Sequence, residues 1–158
     1  MKDFLDEMKR YVGFTEADAR LLVAIGPTLQ PYFPALAERF YSKILEHPAA
    51  ARVFSGPEQL NRLRQTLQHW AQGLFAGRYD EAYAAERYEI GKRHVQVGVP
   101  QKYVISAMTV VRIFLLQSID KIGLENKQST ETKRALSKIL DLDLNMMCES
   151  YFETSVQE

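Results

Sequence analysis

Apolar residues recur at intervals of three and four along most of the chain, the spacing of one face of an amphipathic helix. Five apolar sets follow this spacing: Leu21, Leu22 and Ile25; Leu36, Phe40, Ile44 and Leu45; Leu60, Leu63, Leu67, Trp70, Leu74 and Phe75; Val104, Met108, Val111, Phe114 and Leu115; Leu136, Ile139, Leu140, Leu144, Met147 and Tyr151. The alternation of apolar and polar residues that is typical of strands is not found. The pattern predicts about seven helices and no strands, an all-α fold.

Capping and breaking residues give the helix bounds. Thr15 and Asp18 form a capping box that opens the first predicted helix. The predicted helices run from Thr15 to a stop at Gly26–Pro27, from about Pro34 to Glu46 with a break at His47–Pro48, briefly to Phe54, from Ser55–Gly56–Pro57 to about Ala76, from Asp80 to Gly98, from Pro100 to Ile122 with a stop at Gly123, and from a cap at Ser129–Thr130 to the end of the chain.

The last two predicted helices are apolar around more than one face. These faces are either buried within one molecule or packed against a second copy, in which case two helices from each of two chains form a dimeric four-helix bundle. The final helix has no stop signal, so we expect residues 1–158 to be a single domain cut from a longer protein.

Composition narrows the class of protein. The chain has 20 basic and 20 acidic residues, and this balance argues against a dedicated nucleic-acid binder. Its one cysteine, Cys148, fits a reducing compartment. The first residues are acidic where a signal peptide would be apolar, and runs such as Ile113–Leu116 are far shorter than a membrane span. We therefore expect a cytoplasmic protein without a membrane or nucleic-acid partner.

The candidate chemistry rests on one histidine and one tyrosine. No zinc-finger spacing, calcium loop, glycine-rich phosphate loop or Gly-x-Ser-x-Gly elbow occurs in the chain. His94 lies near the end of an amphipathic helix, and Tyr41 lies 53 positions earlier on another. Haem iron needs only one axial ligand from the protein, because the porphyrin supplies four nitrogens. Taken alone, a single histidine on such a helix more often has a structural role.

Three segments resemble the globin-coupled sensor family. The segment from Ile90 to Tyr103 is similar to the family's proximal pattern Ile-Gly-x-x-His-x-x-Ile-Gly-Leu, which a proline and an aromatic residue follow. The segment from Glu38 to Pro48 is similar to its second helix, and the segment from Leu63 to Trp70 fits between them. Pro100 comes one place early and Tyr103 is the aromatic residue, which leaves the proximal-side contacts less well defined than the ligand.

The resemblance implies a globin fold, in the sensor variant without a D helix, that binds haem b (iron protoporphyrin IX). It implies that His94 is the proximal iron ligand and Tyr41 the distal donor to bound O2. The other implied pocket residues are Leu63 and Thr66 on the distal side, Phe54 at the haem edge, Trp70 deeper in the fold, Tyr103 on the proximal side, and Leu67, Ile90 and Val97. Without haem, Tyr41 would be a core tyrosine and Thr66 would bond to its own helix.

The implied function is that of a gas sensor domain, not itself an enzyme, that binds O2, CO or NO and forms a homodimer. Residues 1–158 would be the N-terminal part of a longer signalling protein. The domain would signal through its C-terminal helix to an output domain in the same chain, such as a diguanylate cyclase, a histidine kinase or a chemotaxis domain. His69 is expected to be exposed, although a helix movement could bring it to the iron when no gas is bound. Two alternatives remain: a stand-alone oxygen-binding or dioxygenase globin, and a helical dimerisation module without haem.

Overall fold

The computed structural model describes residues 1–157, with side chains through residue 155, and within this range the chain is helical throughout, with short turns and no strand. The helices are α1 (Lys2–Val12), α2 (Glu16–Leu29), α3 (Phe33–Leu45), α4 (Pro48–Ala51), α5 (Pro57–Leu74), α6 (Glu81–Val97), α7 (Gln101–Ile122) and α8 (Asn126–Gln157), with one 3-10 turn at Gln30–Tyr32. The all-α prediction is confirmed.

Several predicted helix ends coincide with capping interactions. At the start of α2, the Thr15 N–H donates to the Asp18 carboxylate at 2.9 Å, so the predicted capping box is present. At the start of α6, the Tyr83 N–H donates to Asp80 at 3.1 Å. Gly98 ends α6 in the left-handed conformation, with φ of 80°, which a residue with a side chain rarely adopts. This turn fixes the direction of the chain just after His94.

Three features of the sequence-based prediction were wrong. Helix α2 does not stop at Gly26–Pro27 but continues to Leu29, which is fully buried. Gly26 lies so close to α5 that an added Cβ would be 2.9 Å from the Cβ of Phe75, so tertiary packing holds the helix together across the proline.

Helix α8 begins at Asn126 and not after Ser129–Thr130. The Glu125 carboxylate caps it, accepting from the N–H groups of Lys127 and Gln128, the latter at 3.3 Å. Helix α1 was not predicted at all. It is held by Leu5, which is buried in the core, and by Lys9, which donates to the carbonyl of Tyr79.

The last helix is the centre of the fold. Helix α8 packs against α1, α2, α5, α6 and α7. Its residues Leu136, Ile139 and Leu140 are fully buried within the single chain, and Leu144 is half-buried against the same core. The first part of the predicted α8 stripe therefore serves the core of one molecule and is not available to a second copy.

Helix α7 departs from the expectation that no segment comes near a membrane span. By length and composition it is the one helix among the described residues that could cross a bilayer. It packs here against α2, α3 and α8, and its residues Val104, Met108, Val111, Leu115 and Ile119 are buried. Two of its large apolar residues, Ile105 and Ile113, are exposed in the single chain.

Candidate functional site

Tyr41 is positioned by three neighbours. Its hydroxyl donates to the carbonyl of Leu63 on α5 at 3.2 Å, and its ring is nearly perpendicular to those of Phe40 and Phe54, with centroids 5.0 and 6.0 Å away. The tyrosine is buried on α3, at the α3–α5 contact. The structure thus brings together three of the predicted site residues: Tyr41, Leu63 and Phe54.

The environment of Tyr41 keeps its hydroxyl protonated. Burial raises the pKa of Tyr41 to about 12, and the nearby Arg64 cation opposes this rise. Arg64 is itself 2.9 Å from the carboxylate of Glu38, three residues before Tyr41 on α3. At neutral pH Tyr41 is therefore a hydrogen-bond donor and not an anion. Sequence reasoning did not identify Arg64, because a cation at this position looks like part of a solvated face.

The other predicted distal residues, on α5, differ in how far they are buried. Leu63 and Leu67 are half-buried, and Leu67 packs against the core. Thr66 is exposed, and its hydroxyl donates to the carbonyl of Arg62 at 3.0 Å, one turn earlier in the same helix. The structure does not bring Thr66 into contact with Tyr41, and a distal role for Thr66 stays a prediction. His69 is exposed, as expected.

His94 lies in the last turn of α6 with a half-buried imidazole. Its Nδ1 atom is buried and has no hydrogen-bond partner among the described residues. Burial lowers the pKa of His94, so the ring is neutral at pH 7. A neutral imidazole is the form that binds a metal. No hydrogen bond or ring contact joins His94 to Tyr41 within residues 1–155.

The remaining predicted residues lie on both sides of His94. Ile90 is half-buried and packs against the core, whereas Val97 is exposed. Tyr103, near the start of α7, is half-buried, with its ring centroid 6.1 Å from that of His47. A pocket role for Ile90, Val97 and Tyr103 stays a prediction.

Trp70 is buried, as expected, but its main neighbour was not predicted. The guanidinium of Arg87, from α6, lies 5.7 Å from the Trp70 ring and donates to the Trp70 carbonyl at 3.1 Å. Arg87 also pairs with Asp143 of α8 at 2.8 Å. A charge within a helix normally indicates a solvated face, and no local signal in the sequence distinguishes these two residues.

Several proteins of known structure are similar to this chain over almost its whole length. The globin domain of a globin-coupled sensor from Geobacter sulfurreducens superposes with a TM-score of 0.87 at 37% identity, covering 92% of this chain and 96% of that one. The ferric globin domain of DosC from E. coli has the same fold, with a TM-score of 0.76 at 17% identity over 93% of this chain and 99% of that one.

A curated relative is much longer than this chain. The haem-based aerotactic transducer HemAT of Halobacterium salinarum is 23% identical over 157 residues, which are 93% of this chain but only 32% of the transducer. The chain therefore spans about a third of that protein. Residues 1–157 match the sequence model of the Protoglobin family. The chain thus belongs to the protoglobin family and has the fold of a sensor globin domain.

Proposed function

We propose that this chain is a haem-based gas sensor domain: it holds haem b through His94, binds O2 on the side of Tyr41, and signals through α8 to an output domain. The observation that carries the proposal is the half-buried, neutral His94 imidazole at the end of α6 in a protoglobin-family fold. The haem-based transducer among its relatives supports the choice of cofactor, and its aerotactic role supports the choice of gas.

The residues present fit such a cofactor. The buried Nδ1 of His94 has no protein partner among the described residues, so no hydrogen bond fixes the ring in another role. No cluster of three or more His, Cys, Asp or Glu side chains that could hold a bare metal ion occurs in the described part of the chain. Haem would supply four nitrogen ligands to its iron when bound, and the His94 imidazole would supply one from the protein.

The chain's own contribution to gas selectivity is the Tyr41 hydroxyl. Its hydrogen bond to Leu63 is long, at 3.2 Å, so the proton can turn toward a better acceptor at little cost. Dioxygen develops more negative charge on its outer atom than carbon monoxide does. A donor in a site of low dielectric constant stabilises that charge strongly. Tyr41 would therefore favour O2 over CO.

Replacing Tyr41→Phe tests this role. The variant should keep haem but release O2 faster, by about threefold to a hundredfold, which corresponds to the loss of a hydrogen bond of about 0.5–1.5 kcal/mol, or up to about 3 kcal/mol with a charged acceptor. The release of CO should change less. Stopped-flow dissociation rates for both gases provide the measurement.

A matched control is Tyr79→Phe. Tyr79 is also buried and donates to a backbone carbonyl, that of Leu74 at 2.6 Å, but it lies outside α3. It should affect stability while leaving the ratio of the two dissociation rates unchanged. Equal changes for O2 and CO in the Tyr41 variant would remove Tyr41 from the proposed role.

The visible spectrum of the purified chain tests the proposal as a whole. A Soret band that shifts on reduction and on adding CO is the expected result. If no Soret band appears after reconstitution with hemin, the chain does not bind haem, and a helical dimerisation module is the remaining hypothesis. The length of the native reading frame separates a sensor, which needs an output domain, from a stand-alone oxygen-binding or dioxygenase globin.

We also propose a homodimer, built mainly on the open face of α7. Ile105 and Ile113 are 44% and 51% exposed, with Thr109 between them on the same face. Near the end of α8, Phe152 is 63% exposed. An identical face on a second copy would cover these side chains in a bundle of two α7 and two α8 helices. A stable interface buries at least about 1,000 Å² in total.

Ile113→Glu tests the dimer. The charge should prevent burial of this face, giving a haem-loaded monomer in sedimentation velocity at micromolar concentration, whereas the unmodified chain should sediment as a dimer. Val23→Glu makes the same change at an apolar residue of α2 that is 47% exposed, and it should leave the dimer intact. A monomeric unmodified chain would contradict the dimer.

A further inference from the structure

One ionic cluster joins three helices inside the fold. The Arg87 Nε donates to the Asp143 carboxylate at 2.8 Å and its Nη2 donates to the Trp70 carbonyl at 3.1 Å, so one α6 side chain contacts both α8 and α5. Tyr83 donates its hydroxyl to the other oxygen of Asp143. The side chains of Arg87 and Asp143 are 1% and 0% exposed.

Stability alone does not account for this cluster. Removing two charges from water is costly, and apolar residues of similar volume are often as stable or more stable in their place. What the pair provides is geometry, because the planar guanidinium bonds in fixed directions. Glu86, beside Arg87, faces its Nη1 at 2.9 Å and balances the cation near the surface. The arrangement fixes how α6 sits on α8.

A backbone contact lies one turn farther along both helices. An added Cβ at Gly91 would be 2.3 Å from the carbonyl oxygen of Met147, so α6 and α8 touch without an intervening side chain. Arg87 and Gly91 are four residues apart, as are Asp143 and Met147, and His94 follows Gly91 by three. The ionic contact and the backbone contact therefore lead along α6 toward His94.

A third contact continues this line beyond His94. The hydroxyl of Tyr151, one turn after Met147 on α8, donates to the carbonyl of Val99 at 2.6 Å, just after α6 ends. Helix α8 thus contacts the chain before and after His94. Because the backbones of α6 and α8 touch at Gly91, no flexible side chain lies between them there to absorb a displacement of α6. Close-packed interiors pass on such shifts.

We propose that the Arg87–Asp143 pair, together with the Gly91–Met147 contact, is the joint that passes a displacement of the His94 helix to the C-terminal part of α8. Arg87, Asp143 and Tyr83 are positioning residues in this scheme. The inference rests on the proposed function, since the displacement would begin when a gas binds to the cofactor that His94 holds.

The experiment compares hydrogen exchange of α8 amides in the reduced, haem-loaded chain with and without CO. The unmodified chain should show a ligand-dependent difference in residues 141–155 of about fivefold or more, the lower range of typical coupling between sites. The variant Y83F/R87M/D143L replaces the cluster with apolar side chains and should lose the difference. A merely structural role would change exchange equally in both states.

The milder variant Asp143→Asn keeps the shape of the side chain and removes its charge, and it serves as the test if the triple variant does not fold. It should reduce the ligand-dependent difference in hydrogen exchange. Lys133→Met with Asp120→Asn removes an ion pair between α7 and α8 that does not involve α6, and this variant should retain the difference. If haem-loaded variants of the cluster keep the full ligand-dependent difference, the proposed joint is wrong while the proposed function stands. The same conclusion follows if the unmodified, haem-loaded chain shows no ligand-dependent difference. Absence of a Soret band would overturn the proposed function and the joint with it.

Discussion

The His94→Ala chain should be purified without a stable Soret band, even after reconstitution with hemin. The only other histidines are His47 and His69, and both are exposed, so neither replaces the imidazole at the end of α6. Loss of the axial ligand removes the strongest single bond between the protein and the cofactor. Absorption spectra of the reduced chain and retention of haem during gel filtration would measure the effect.

His69→Ala is the matched control and should bind haem as the unmodified chain does. Exogenous imidazole, which can take the place of the missing side chain, should restore a haem-bound spectrum to the His94→Ala chain. A normal five-coordinate ferrous spectrum from His94→Ala without added imidazole would show that the ligand assignment is wrong.

Leu140→Glu should unfold the chain and not release a monomer. Leu140 is fully buried within one molecule, on the helix that contacts five others. An unpaired charge there costs several kcal/mol, a large part of the total stability of about 5–15 kcal/mol that is typical of domains. We expect loss of the cooperative thermal transition in circular dichroism, together with loss of soluble expression.

Asn145→Glu places the same side chain on the exposed face of α8 five residues later and should change the melting temperature little. A folded, haem-loaded Leu140→Glu monomer would mean that Leu140 faces a partner copy and not its own core. Together with Ile113→Glu, this variant separates the apolar residues that form the fold from those left for assembly.

Helical periodicity predicted most elements because each helix buries one face. It could not predict what covers that face, and so the α8 stripe suggested a second copy where the chain covers Leu136, Ile139 and Leu140 itself. Pro27 was interpreted as a stop because local propensity ignores the contact between Gly26 and Phe75. Helix α1 does carry an apolar face, formed by Phe4, Leu5 and Met8, so its spacing alone could have predicted it; only the partners of that face are distant in sequence.

The sequence predicted those candidate site residues that belong to the family motifs. His94 and Tyr41 stand out by their spacing and their neighbours, and the structure brings Tyr41 into contact with Leu63 and Phe54. The Arg87–Asp143 pair could not be predicted, because its partners are 56 residues apart and each alone resembles a surface charge. Only the fold shows that both are buried.

The contact between Gly91 and Met147 also determines when, during synthesis, α6 can reach its final position. The helix that carries His94 is made about fifty residues before the Met147 backbone against which it rests, which is among the last parts of the domain to be made. Domains fold as units as they emerge. A nascent chain ending before Met147 would present α6 without its support, so capture of a cofactor at His94 is expected to follow release of α8 from the exit tunnel.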